Sequence, residues 1–222
     1  MPWVCTFAAR SQTELPSGGS QPRRLRVNLT FDERSHTYRV DGQVVPSVTQ
    51  ILEHAQFVDP TGFTEVSRSR GALVHRSVEL YDLGRMPRNP GVPEVQGYLE
   101  AYIRFKEESG FVDRESEVRL GSALYRFAGT LDKVGAFHLP GSQAGIEAIV
   151  DIKTGEPARW WGMQLAGYQI LDQERTRGSI WRRRFDLQLH EDATYNLVEQ
   201  RSPADRGVFL AALTCWHWLN DV

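Results

Sequence analysis

The chain has 222 residues, 41% of them hydrophobic and 24% charged, with a formal net charge of −2. That is enough chain to bury a sizeable core, and the composition is ordinary for a soluble globular protein. No apolar run approaches the length of a bilayer-spanning helix and no secretory h-region is present, while Cys5 and Cys215 stand alone, without CxxC or Cys/His spacing, which argues against a disulfide scaffold, a zinc site or a four-cysteine iron-sulfur cluster.

An intracellular, reducing setting is therefore expected. Residues 1 to 25 hold the Ser-, Gly- and Pro-rich run Leu15 to Ser20 and read as a flexible leader, with only a faint compositional hint of organellar targeting. Residues 26 to 222 read as one domain. Charge is unevenly spread: arginines cluster at Arg68, Arg70 and Arg76 and again between Arg175 and Arg184, and such local patches can engage phosphates despite a neutral total. Only three of the 26 basic residues are lysine.

Val27–Phe31 and His36–Val45 read as short strands, the second broken by the hairpin signal Asp41-Gly42. Ser47 is a plausible N-cap for a helix beginning at Val48. A longer helix spans Thr64 to Leu83 and ends at Gly84, and a third, amphipathic through Val95, Leu99, Tyr102 and Ile103, spans Pro93 to Ser109. Strands follow over Phe111–Leu120, Tyr125–Phe137 and Ile146–Lys153, with a turn at Gly121-Ser122 and a Pro/Gly loop over 139–145. A helix over 158–175, two strands over 180–189 and 194–200, and a last helix capped near Ser202 and holding Phe209, Leu213, Trp216 and Leu219 complete the chain.

The strand Ala148-Ile149-Val150-Asp151-Ile152-Lys153 carries the first chemical signal. Alternation puts Asp151 and Lys153 on one face and Val150 and Ile152 on the other. A carboxylate and an amine in an apolar run need a partner, a metal or a substrate, because unpaired buried charge is costly. Gly129-Thr130-Leu131-Asp132 supplies a second carboxylate, with the glycine read as the bend or end of its strand. A neighbouring strand or hairpin would bring Asp132 to Asp151, and two such carboxylates repel unless a cation lies between them.

These residues resemble a known family. Asp132, Asp151-Ile152-Lys153 and the upstream Glu117 are similar to the motif of the PD-(D/E)XK nucleases. Gly71-Ala72-Leu73-Val74-His75, Gly129 to Asp132, Asp151 to Gly155 and Gln164-Leu165-Ala166-Gly167-Tyr168 occur in the order seen in its RecB-like branch, which includes phage-type and mitochondrial genome maintenance exonucleases. Pro46 to Leu52 is similar to the start of those proteins. The resemblance covers about residues 30 to 170 and implies a mixed α/β fold: a restriction-endonuclease-like core, its central mixed sheet flanked by helices, with an N-terminal helical region.

The resemblance further implies that His75, Asp132, Asp151 and the Ile152 carbonyl hold Mg²⁺, which Mn²⁺ could replace. Lys153 would stand at the attacking water. Glu117 would act from one strand away, as a catalytic carboxylate outside the direct ligands, with Glu115 as the alternative position. Gln164 and Tyr168, four apart on a helix, would touch the scissile strand, and Arg68, Arg70 and Arg76 would add DNA contacts. Gly71 would allow the His75 helix to approach its neighbours closely. The implied activity is a metal-dependent DNA exonuclease acting on a free or single-stranded end, without an iron-sulfur cluster, in recombination, repair or replication. The alternatives are an endonuclease or junction resolvase on the same core, or an inactive DNA-binding relative.

Overall fold

The structure is a computed structural model that describes residues 27–58, 64–89, 91–138, 141 and 145–220. The expected leader, and most of the loop over 139–145, lie outside the described residues. Three short strands come first: β1 (Leu29–Asp32), β2 (Thr37–Val40) and β3 (Gln43–Val45) form an antiparallel meander. Asp41 and Gly42 make its second turn, both at positive φ, as a tight hairpin demands. Helix α1 (Val48–His54) then starts with a full capping box, in which the Gln50 N–H donates to Ser47 Oγ and the Ser47 N–H donates to Gln50 Oε1.

Helices α2 (Glu65–Asp82) and α3 (Pro93–Glu108) follow. The main sheet runs in the order β4 (Phe111–Ser122), β5 (Phe127–Phe137), β6 (Ile146–Lys153), β7 (Arg183–Leu189), β8 (Tyr195–Glu199). All neighbours are antiparallel except β6 and β7, which are parallel. The crossover between those two is helix α4 (Trp160–Thr176), as a parallel pair requires. The chain closes with α5 (Ala204–Leu219).

Alternation along β6 sorts the helices into two layers. Ile149 joins a core with α1, α4 and α5; Ala148, Val150 and Ile152 join another with α2 and α3. The result is a mixed five-stranded sheet between helical layers, consistent with a restriction-endonuclease-like core. No helix among the described residues is long and apolar enough to cross a membrane.

Three local expectations are revised. Gly121-Ser122 is the end of β4 rather than a turn, because both residues still pair with β5, and the turn falls at 123–126. Gly129 does not bend β5. It lies within the strand, where a Cβ would sit 2.9 Å from Tyr168 Cε1 and 3.2 Å from Val48 Cγ2, so the missing side chain makes room for helix packing. Leu219 lies beyond the last core contact of α5 and is 58% exposed, while Phe209 and Leu213 are buried.

Candidate active site

The site forms where the β4–β5 pair departs from regular geometry. Leu131 joins the core on the α4 side, yet Lys133, two residues on, turns to Asp82 of α2 and donates to Ser116 Oγ at 3.0 Å. Strict alternation would put both on one face. The reversal lies opposite Glu117, which sits at φ +51 between the register pairs Ser116–Lys133 and Val118–Leu131. A non-glycine residue in that region is uncommon and marks a local distortion. Asp132 occupies the same break on β5.

Beyond the pair Lys133–Val150, β5 and β6 no longer pair. Asp132 fills the opening: its Oδ2 accepts the Ile152 N–H at 2.7 Å. In a strand a residue's N–H and C=O face the same edge, so the Ile152 carbonyl is presented on this side as well. Asp132 Oδ1 stands 3.6 Å from His75 Nδ1 on α2. Ligand atoms of His75, Glu117 and Asp132 all lie within 4.8 Å of one another.

Asp151 is not part of that group; its carboxylate faces the Lys153 ammonium. Lys153 Nζ also donates to Gln164 Oε1 at 2.5 Å and stands 5.0 Å and 5.6 Å from the rings of Trp160 and Trp161. Gln164 Nε2 in turn donates to the Tyr168 hydroxyl at 3.0 Å. The first two turns of α4 thus form a cover over Lys153. Gln164 and Tyr168 are buried, at 7% and 6% exposure, so their polar atoms serve Lys153 and each other in this arrangement.

The arginines expected at DNA divide by environment. Arg70 donates to the Thr154 carbonyl at 3.4 Å and lies 5.8 Å from the Tyr98 ring, which ties α2 to the turn after β6. Arg76 pairs with Glu79, one turn along the same helix. Arg68 is on the exposed side of α2. Glu115 is engaged by Arg175 at 2.8 Å, which leaves Glu117 as the carboxylate of β4 at the site. A Cβ on Gly71 would meet Thr154 Oγ1 at an ordinary 3.6 Å, so the glycine is not a steric requirement there.

Electrostatics concentrate at the same place. Burial pushes the Glu117 carboxyl up to about 7, with the Asp132 charge adding to it. Burial likewise raises Asp151 to about 7, against the pull of Lys153. A further buried acid, Asp186, is the register partner of Asp151 on β7 and is raised to about 6 by burial. Gln200 Nε2 donates to its Oδ2 at 2.6 Å. Sequence reasoning did not single out Asp186; the available signal was an acid between Phe185 and Leu187 in a strand.

Two carboxylates and an imidazole converging within 4.8 Å, among acids that resist ionisation, make a donor set that fits a divalent cation. Such a cation would offset the desolvation of Glu117 and its repulsion by Asp132.

No protein-family model matches the chain, and no curated protein matches it. Among solved structures the chain is similar to a protein from Eubacterium rectale named as a candidate exonuclease, at 12% identity and TM-score 0.46, over 66% of this chain and 64% of that one. The chain thus matches a little under two thirds of that protein's length. It is also similar to the protein SSO0001, at 15% identity and TM-score 0.35, over 78% of this chain and 84% of that one. Function therefore rests on the site itself.

Proposed function

We infer that the chain is a metal-dependent nuclease, specifically an exonuclease that hydrolyses DNA phosphodiesters from a free or single-stranded end. The observation that carries this is the convergence of His75, Glu117 and Asp132 beside the Asp151–Lys153 pair, at the point where β5 and β6 part.

A phosphodiester repels nucleophiles, so a site for its hydrolysis must offset negative charge and orient a water. Mg²⁺ held by His75, Glu117 and Asp132, with Asp151 and the Ile152 carbonyl adjacent and Mn²⁺ able to replace it, would neutralise the phosphate and lower the pKa of bound water. Lys153 provides a fixed positive charge at the position where charge grows on the phosphate. Asp151 and Gln164 hold its ammonium from two sides, so its direction is set before substrate arrives. Trp160 and Trp161 limit water around it, which strengthens its field. Arg70, fixed to the Thr154 carbonyl, adds positive charge beside the site, and Arg68 on the exposed side of α2 extends it toward the backbone of the DNA, as Arg76 would on exchanging Glu79 for a phosphate.

The test is hydrolysis of end-labelled linear and closed circular DNA, single- and double-stranded, with Mg²⁺ or Mn²⁺. Release of nucleotides from linear DNA only is the expected result. Cutting of the closed circle replaces the exonuclease with an endonuclease or resolvase. Binding without release under either metal would leave a DNA-binding protein in place of an enzyme.

A further inference from the structure

The β1–β2 hairpin carries an aromatic cluster that the core does not require in full. Phe31 and Tyr38 are register partners, with ring centroids 4.4 Å apart and tilted by 35°. His36, at φ +50, stands edge-on to both rings at 5.1 Å and 5.9 Å. Tyr38 is the buried end, packed with Val40, Val45 and Ala128. Phe31 is half-buried at the rim and His36 is exposed beyond it. Arg119 of β4 reaches over Phe31 with its guanidinium 4.6 Å from the ring centroid, held by Glu33 at 3.0 Å.

The cluster is anchored next to the candidate site. The Tyr38 hydroxyl bonds Thr130 Oγ1 at 2.6 Å, and Thr130 is the register partner of Arg119. Each lies two residues along its strand from Asp132 and Glu117 respectively, a separation of about 7 Å. The nucleoside next to a phosphate at the triad is within that reach. Asp32, Glu33 and Asp41 are balanced by Arg34, Arg39 and Arg119, so the hairpin sets no net negative charge against a polyanion.

We propose that the outer face of the Arg119 guanidinium, backed by the Phe31 ring and flanked by His36, forms a stacking subsite for an unpaired nucleobase adjoining the phosphate at the His75/Glu117/Asp132 triad. The proposal rests on the nuclease reading. Aromatic and guanidinium planes accept any base face, so the subsite would grip single strands without reading their sequence. Tyr38, clamped between the small core and Thr130, is a positioning residue that fixes the height of the Phe31 ring above the site.

The test is a cycle of rates with the full chain. Single-stranded oligonucleotides carry either a normal base or an abasic sugar at each of the terminal positions in turn, and kcat/KM is measured for the wild type, Phe31→Leu, His36→Ala and Arg119→Gln. For the wild type one abasic position should lower kcat/KM by about 10-fold. The variants should lose a comparable factor on the normal oligonucleotide and match the wild type on the abasic one. His36 and Arg119 are exposed, so those two variants carry the test if Phe31→Leu does not fold. Absence of any hydrolysis by the wild type overturns the nuclease reading itself. Hydrolysis without an abasic penalty, or variants that lose equally on both substrates, overturns the stacking subsite alone.

Discussion

At the scale of single residues, two charged groups of the site are tied into the fold as well as into its proposed chemistry, which decides how they can be tested. Asp132 accepts the Ile152 N–H, so removing its side chain would orphan a buried donor. Asp132→Asn keeps an acceptor oxygen and removes the charge. We expect unchanged melting and a fall in hydrolysis of about 100-fold or more; near-normal rates would remove Asp132 from the metal-binding group. At pH 8 Lys153→Met is expected to destabilise the protein by about 3 kcal/mol, because it strands the Asp151 carboxylate, which is 3% exposed, and at pH 5, where Asp151 holds its proton, by less. Adding Asp151→Asn to that variant should restore much of the melting temperature and none of the activity. Recovery of neither would mean that the pair does not share one buried environment. Asp151 and Lys153 were legible in the sequence because a strand has a fixed period of two. Glu117 was legible only by resemblance, since its contact with His75 and Asp132 depends on a backbone distortion that no pattern of residue types announces.

At the scale of elements, two glycines hold helices against the sheet and its hairpin. A Cβ on Gly97 of α3 would fall 1.7 Å from the Glu191 carbonyl oxygen in the β7–β8 turn, and backbone on both sides leaves little to yield. Gly97→Ala is expected to cost several kcal/mol by this overlap, read as a melting temperature lowered by ten degrees or more for a chain of this size or as insoluble protein; wild-type melting would show that the turn does not pack there. A Cβ on Gly129 meets the Tyr168 ring at 2.9 Å. Tyr168 holds Gln164, and Gln164 holds Lys153. Gly129→Ala should therefore lower kcat more than it lowers stability. Equal activity with a shifted Tyr168 would break the proposed line from ring to ammonium. Helix boundaries at Ser47, Thr64 and Pro93 were legible because capping chemistry is local. The docking of Gly97 on a turn some ninety residues later was not, because an unremarkable helical glycine carries no local signal of what faces it.

For the whole molecule, the acids of the site link stability to pH and to metal. Glu117 and Asp151 are both raised to about 7 in the folded chain, whereas in an unfolded chain they would titrate near 4. The folded state holds the protons longer, so the metal-free protein should be most stable at the acidic side of this window and lose stability as pH rises from about 4 to about 7. A divalent cation at His75, Glu117 and Asp132 would take the place of the Glu117 proton, so Mg²⁺ or Mn²⁺ should raise the melting temperature strongly at pH 8 and little at pH 5. A metal effect independent of pH would argue against Glu117 as a ligand, and an opposite slope with a chelator present would argue against both raised acids.

The order of elements, the alternation of β6, the capped helix starts and the residue types able to bind a cation or steady a phosphate were determined by the sequence alone, since each follows from period, cap or charge within a few neighbouring residues. Tertiary structure decided which of those groups meet. It set Glu117 beside His75 and Asp132, gave Gln164 to Lys153, placed Asp186 next to Asp151 and tied an aromatic hairpin to Thr130, two residues along β5 from Asp132. Those contacts join strands and helices tens of residues apart, and their geometry comes from packing two helical layers on one distorted sheet, which no local pattern encodes.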